Sequence, residues 1–365
     1  MSSRNIALSV AAVVVSLLGI ELAARVWIAL RWPPGMAYEL THLTPQRGRF
    51  GGDPWNGYGL SPSFSFGGKS QNALAFRGPE IRIERTPGLA RVVLIGASTV
   101  YGPRVADSET SSAGLEALLK ERGIAAEVVN AGVPGYTTRE TVQSLEHRVL
   151  RLRPDVVVVV DGRNDAYPEL FRGYRDDYSH YRDFAWSVRL SNQGWKRVFL
   201  VSHLVMGLMH RQARFGFDPG KEHPLYGSIR YENKPSLAEA ARFAADPTRY
   251  RGFETNVRRS VELIRAAGAQ AVLATIPYRG GPWYASGNLD KSFQPIVSQV
   301  VAKNQEIVRR LAVELGTPLV DTPDLWTGTN LADDCHFNPV GERAFAERIA
   351  LAVAPLLRGA PRAPQ

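Results

Sequence analysis

Five consecutive valines, Val156–Val160, constrain the fold more than any other stretch of the chain. β-Branched side chains suit a pleated surface. A strand that is apolar on both of its faces belongs to a sheet covered on both sides. Less uniform runs of the same character, Arg91–Ile95 (RVVLI), Ala126–Asn130, Ala271–Ile276 (AVLATI) and Pro318–Val320, read as its companions. Segments of helical period fall between and after them, at about 110–122, 138–152, 253–267, 294–315 and 341–357. Strands that alternate with helices predict an α/β architecture with a doubly wound, mainly parallel sheet.

Two stretches stand outside this rhythm. Residues 32–90 are rich in Gly, Pro and aromatics (FGGDPWNGYGLSPSFSFGG) and read as turns and short strands packed on a larger body. Residues 168–250 interrupt the alternation with an aromatic, charged segment (FRGYRDDYSHYRDFAW) and then an apolar helix near 195–213. Because this insertion follows a strand end, it is expected to overhang the carboxyl edge of the sheet, as a lid or substrate platform or as a packing elaboration. The expected organisation is an anchor at 5–30, an extension at 32–90 and a catalytic domain at 91–357 that carries the insertion.

The N-terminal segment follows from its length. Ile6–Ile20 is unbroken apolar or small sequence, and its continuation to Leu30 gives about 25 residues, or ~37 Å of helix, enough to span a bilayer. Glu21 and Arg25 stand four apart and can pair, and Trp27 and Trp32 lie where an aromatic belt forms. The competing reading is a cleaved signal peptide, for which Gly35-Met36-Ala37 would be the processing site. Arg4 precedes the span while Arg31, Arg47 and Arg49 follow it, so the count of positive charge does not itself favour export. Large domains translocate regardless of such charge, and the expectation is a single-pass anchor with an extracytoplasmic, periplasmic domain.

Composition removes several classes. With 44% hydrophobic and 22% charged residues the chain is an ordinary globular one, not a disordered one. Its single cysteine, Cys335, excludes an internal disulfide framework and a cysteine-based zinc ribbon. The net charge of +9 suits an anionic neighbour such as lipid headgroups or acidic polysaccharide, or simply an arginine-rich soluble face. No basic run exceeds two residues, and no aromatic RNA-binding motif is present, so nucleic acid is not expected as a partner.

Ligands of open α/β sheets bind at the carboxyl ends of the strands. The loops there read Gly96-Ala97-Ser98-Thr99, Asn130-Ala131-Gly132 and Asp161-Gly162-Arg163-Asn164-Asp165, with Asp333-Asp334-Cys335-His336 near the C-terminus. They hold the parts of an acyl-transfer site. A serine hydroxyl becomes a nucleophile when a base such as His336 takes its proton. Asp333 can hold the imidazole by its other nitrogen. The oxyanion then needs placed donors, for which the Ser98 and Gly132 N–H groups and the Asn164 amide are candidates. Each residue alone is more often a turn former, a cap or a structural histidine. The combination in this order is what points to chemistry.

These four blocks resemble the SGNH (GDSL-type) hydrolase family over roughly Arg91–Leu357, with GRND and DDCHFNPVG as the most specific parts. The resemblance implies a flavodoxin-like three-layer α/β/α sandwich and hydrolysis or transfer of acyl groups, often on lipids or carbohydrates, with no metal or other cofactor. It implies Ser98 as nucleophile, Gly132 and Asn164 with Ser98 in the oxyanion hole, and Asp333 with His336 as the remaining pair. Ala97 stands where the family usually has Asp, and Asn72–Glu80 (NALAFRGPE) looks like the lead-in of membrane-anchored bacterial members. The expected activity is that of a serine esterase cleaving O-acyl esters of carbohydrate or lipid. An O-acyltransferase that modifies envelope polysaccharide and a non-catalytic binding module are the alternatives. Other chemistries have weaker support. A carboxylate metal site from Asp161, Asp165, Asp333 and Asp334 would leave Ser98 and Asn164 unexplained. Cys335 adjoins His336, and neighbouring side chains usually point apart, so a structural cysteine is expected rather than a thiol nucleophile. His203 and His210 lack a third ligand.

Overall fold

The structure, a computed structural model, describes residues 2–31, 49–184, 228–280, 289–325 and 327–359. The expected helix at 195–213, with His203 and His210, lies outside these residues, as do Trp32 and Gly35-Met36-Ala37. The described residues fall into two compact units, one containing residues 2–31 and 49–61, the other beginning at Pro62.

The first unit holds the helix Ser3–Arg31 and a hairpin of β1 (Phe50–Asp53) with β2 (Gly57–Leu60). Within the helix, Arg4–Trp27 is 24 residues of mean hydropathy 2.4, long and apolar enough to cross a membrane; a signal sequence has the same character. Arg25 Nε donates to Glu21 Oε1 at 2.9 Å, which pairs the two charges one helical turn apart.

In the second unit a short hairpin, β3 (Ser65–Phe66) with β4 (Lys69–Ser70), precedes the main sheet. That sheet contains β5 (Ala90–Gly96), β6 (Ala126–Gly132), β7 (Val156–Val160), β8 (Gln270–Ala274) and β9 (Leu319–Val320), all parallel, in the order β6-β5-β7-β8-β9. This is the flavodoxin-like order, whose direction of winding reverses between its first and third strands, here β5 and β7. The helices Ser111–Glu121 and Pro339–Gly359 pack on each other, the first also on β6 and the second also on β7 and β8. Thr138–Ser144, Arg251–Ala266 and Gln294–Glu314 form another packed series, the last two also against β8. Each valine of β7 is at most 3% exposed, so the central strand is covered as its sequence requires. Burial of each such side chain contributes about 1.5–3 kcal/mol before chain entropy is counted.

The reversal point opens a crevice at the carboxyl ends of β5 and β7. Gly96 makes the approach possible. It ends β5 with φ +154°, and a Cβ there would lie 2.1 Å from the Val160 carbonyl oxygen of β7. A Gly96→Ala chain is therefore expected to lose about 2–4 kcal/mol of stability through overpacking and backbone strain. Urea unfolding of the full chain in detergent checks this, and an unchanged midpoint contradicts it.

Candidate active site

After Gly96 the chain turns at once into the four-residue helix Ser98–Tyr101. Ala97 caps it with no side-chain hydrogen bond, so the residue in place of Asp leaves that helix end bare. The turn sets Ser98 at the crevice, half-buried, with its neighbours Thr99 and Val100 buried.

The C-terminal loop meets it from the far side of the sheet. Asp333 Oδ1 accepts the N–H groups of Cys335 (3.1 Å) and His336 (2.9 Å), so the carboxylate folds back on its own turn. Spacing of three residues then lets Oδ2 reach His336 Nδ1 at 2.8 Å, while Nε2 lies 2.8 Å from Ser98 Oγ. With Nδ1–H donated to Asp333, Nε2 is the acceptor for the Ser98 hydroxyl. The arrangement can withdraw a proton from Ser98 and stabilise the resulting imidazolium. Thr99 Oγ1 donates to the Cys335 carbonyl at 3.2 Å and ties the two loops together.

The loop after β7 contributes Asn164, whose Nδ2 donates to the Tyr136 carbonyl at 2.8 Å. Ser98, Asn164, Tyr136, Val160, Asp161, Arg163, Ile276 and Cys335 are among the residues lining a cavity of about 10 Å³. That is room for about one water.

Gly132 does not occupy the place expected of it. Its N–H donates to Asn130 Oδ1 at 3.1 Å, and a Cβ on it would meet the Tyr101 nitrogen at 2.3 Å and the Ala97 oxygen at 2.9 Å. Glycine is needed there because the end of β6 passes against the backbone of the Ser98 turn, and its N–H is already committed. Gly135, three residues on, is partly exposed with φ +83°, and its N–H has no partner among the described residues. It adjoins Tyr136, whose carbonyl holds Asn164. NAGVPGYT carries a second glycine three residues beyond Gly132, and the expectation from the sequence rested on Gly132 alone.

Three arginines that the sequence reading passed over organise these loops. Arg163, in GRND, is buried and pairs with the buried Asp334 at 3.0 Å, which links the β7 loop to the His336 loop. Arg104 donates to Asp333 Oδ2 from Nε (3.1 Å) and Nη2 (2.9 Å). Arg77, in NALAFRGPE, donates to the carbonyls of Tyr101, Gly102 and Val105 and pairs with Asp107 at 2.9 Å. Only Arg163 and Arg77 lay in motifs that signalled them; Arg104 is an exposed arginine with no local pattern.

The carboxyls divide into two sets. Burial opposes ionisation of Asp333, but the His336 imidazole, the Cys335 N–H and Arg104 outweigh it and hold the group well below the ordinary range. Burial pushes Asp161 well above that range and Asp165 up to about 7. Asp165 accepts from the Thr138 N–H (3.0 Å) and from its hydroxyl (2.5 Å), a tie between loops. Among the described residues, Asp161 and Asp165 join no group of three close carboxylate, histidine or cysteine donors. Asp333, Cys335 and His336 do cluster, but Asp333 and His336 are already engaged with each other and with Ser98.

Cys335 Sγ lies 3.9 Å from both ring nitrogens of His336, so the two neighbouring side chains do not point apart. The turn gathered by Asp333 Oδ1 brings both to one side. Burial depresses the imidazole, whereas the Cys335 sulfur and the Asp333 carboxylate raise it, and the upward pull prevails. NMR titration of isotope-labelled histidine in the full chain is expected to find the His336 midpoint above that of an ordinary histidine. Cys335→Ala should move its midpoint down; a midpoint that stays fixed in that variant would remove the sulfur from the account.

The model of the GDSL-like lipase/acylhydrolase family matches residues 94–344. Among solved structures, an acetyl xylan esterase (AlAXEase) is similar at 18% identity over 72% of this chain and 99% of its own, with a TM-score of 0.39. A catalytic mutant of an acetylxylan esterase from Geobacillus stearothermophilus is similar at 16% identity over 76% and 97%, TM-score 0.41. A lipase/acylhydrolase from Enterococcus faecalis is similar at 18% over 73% and 96%, TM-score 0.40. Among curated proteins, no sequence matches.

Proposed function

The chain belongs to the GDSL-like lipase/acylhydrolase family and is an ester-hydrolysing enzyme, and from that premise we propose that it cleaves short O-acyl esters of carbohydrate or lipid through an acyl-Ser98 intermediate. The observation that carries this reading is the unbroken contact series from Ser98 Oγ through His336 to Asp333, with 2.8 Å at each step. His336 Nε2 takes the hydroxyl proton as Ser98 attacks the ester carbonyl, then returns it to the departing alcohol. Asp333 keeps Nδ1 protonated and balances the imidazolium. Water, activated by the same nitrogen, then releases the acid and restores the serine.

Charge on the carbonyl oxygen needs donors at the crevice. The Ser98 N–H at the helix start and the Asn164 amide suit this role. Gly135 serves here in place of Gly132, because its N–H has no partner among the described residues and adjoins the loop that holds Asn164. The small cavity beside Ser98 favours a short acyl group over a long one. The apolar stretch Arg4–Trp27 is read as a single-pass anchor with the catalytic unit on the extracytoplasmic side, where envelope esters are met.

The first experiment is labelling of the full chain in detergent with a fluorophosphonate. Wild type should react, and Ser98→Ala and His336→Ala should not, while retaining the wild-type melting curve. Reaction of Ser98→Ala at the wild-type rate would defeat the mechanism. Asn164→Ala is expected to retain labelling with kcat lowered by about 10²–10³, as for loss of one oxyanion donor. In a series of aryl esters kcat/KM should fall from acetyl to longer chains; a rise with chain length would sink the size argument. Acyl release with and without an added sugar acceptor separates hydrolysis from transfer to a hydroxyl.

A further inference from the structure

Asp333 Oδ2 serves two cationic partners. It accepts from His336 Nδ1 at 2.8 Å and from Arg104 Nε and Nη2 at 3.1 and 2.9 Å. Arg104 lies just past the Ser98 helix, in a loop whose backbone carbonyls at Tyr101, Gly102 and Val105 are held by buried Arg77. The guanidinium thus reaches Asp333 from a fixed loop, although its own side chain is 54% exposed. It touches neither Ser98 nor His336 through any hydrogen bond among the described residues.

We propose that Arg104 is a positioning residue that acts through Asp333, drawing charge from the oxygen shared with His336 and so limiting how strongly the carboxylate stabilises the imidazolium. This rests on the reading of His336 as the base that serves Ser98. The reason for such a device follows from the surroundings. His336 is faced by Asp333 and Cys335 from its own loop, by the Ser98 hydroxyl, and by Glu342 of the Pro339–Gly359 helix. Most of these favour the cation. A base held as a cation cannot accept the Ser98 proton. A permanent positive charge on the outer side of Asp333 works against that excess and keeps the neutral imidazole accessible.

The sign separates this role from a merely structural one. Loss of Arg104 leaves Asp333 with its two backbone donors and more of its charge for His336, so the imidazole becomes harder to deprotonate. If Arg104 only kept Asp333 in place, its loss would loosen the pair and make the imidazole easier to deprotonate.

The experiment is histidine NMR titration of the full chain in detergent for wild type, Arg104→Gln and Arg104→Lys, alongside the pH dependence of fluorophosphonate labelling. Arg104→Gln should raise the His336 midpoint by about half to one unit, the lower end of what a nearby charge does, because the arginine is exposed. The rising limb of labelling should move up with it. Arg104→Lys should restore most of the shift, and added salt should shrink the gap between variants. An unchanged or lowered midpoint in Arg104→Gln overturns the proposal. Failure of wild type to label at Ser98 would instead reject the serine mechanism, and the NMR midpoint would still decide whether Arg104 tunes the pair.

Discussion

A carboxylate withdrawn from water must be repaid in hydrogen bonds, and Asp333 is surrounded by them. Its two oxygens accept from two backbone N–H groups, an imidazole and a guanidinium. The two backbone donors fix the Asp333–His336 turn, the imidazole its own ring orientation, and the guanidinium the loop beyond the Ser98 helix. The contact between Ser98 and His336 depends on this convergence, because the Asp333 carboxylate holds Nδ1 and so turns Nε2 toward the hydroxyl. The same donors keep the group ionised despite burial. Asp161 and Asp165, also buried but with fewer donors, are pushed the other way.

The sheet determines which loops meet. The order β6-β5-β7-β8-β9 reverses its winding at β5 and β7, so the segments leaving those strands diverge and leave room between them. Ser98 leaves β5 and Asn164 follows β7, both at that crevice. Gly96 and Gly132 sharpen the geometry from either side. The first lets β5 close against the Val160 carbonyl, and the second lets the end of β6 pass beside the Ser98 turn. These glycines act by the absence of a Cβ, and neither has to supply a donor to substrate for its identity to matter.

Much of this was legible in the chain. The valine run of β7 and its less uniform companions define a sheet because their burial on both faces leaves a continuous apolar signature. Ser98, Asn164, Asp333 and His336 stood at strand ends or in a tight D-x-x-H turn, and the structure brings them to one crevice. Gly132 misled because two glycines three apart look alike in sequence. Their difference lies in where the N–H points, which the Asn130 side chain decides. Arg104 was illegible for another reason: its role comes from a carboxylate 229 residues away, and an exposed arginine has no periodicity to betray it. The helix predicted at 138–152 shows how local pattern can be right in extent and incomplete in form. It continues from Thr138–Ser144 through a wider π turn at Leu145–Val149 and a tighter turn at Leu150–Leu152.

The lead-in NALAFRGPE gains a physical account from the same network. Asn72 Oδ1 accepts the N–H groups of Leu74 and Phe76, which curls the segment so that Arg77 enters the interior. There the guanidinium stacks over Tyr101, 4.7 Å from the ring centre, and donates to the carbonyls of Tyr101 and Gly102 at the end of the Ser98 helix and of Val105 beyond it. A four-residue helix cannot hold its own carboxyl end with internal bonds. Arg77 supplies what that helix lacks, and Asp107 balances its charge. Removal of Arg77 would free the loop that carries Arg104 as well as the segment that carries Ser98, so both sides of the Asp333–His336 pair would loosen together. The lead-in is thus part of the scaffold of the site, although none of its side chains lines the cavity beside Ser98.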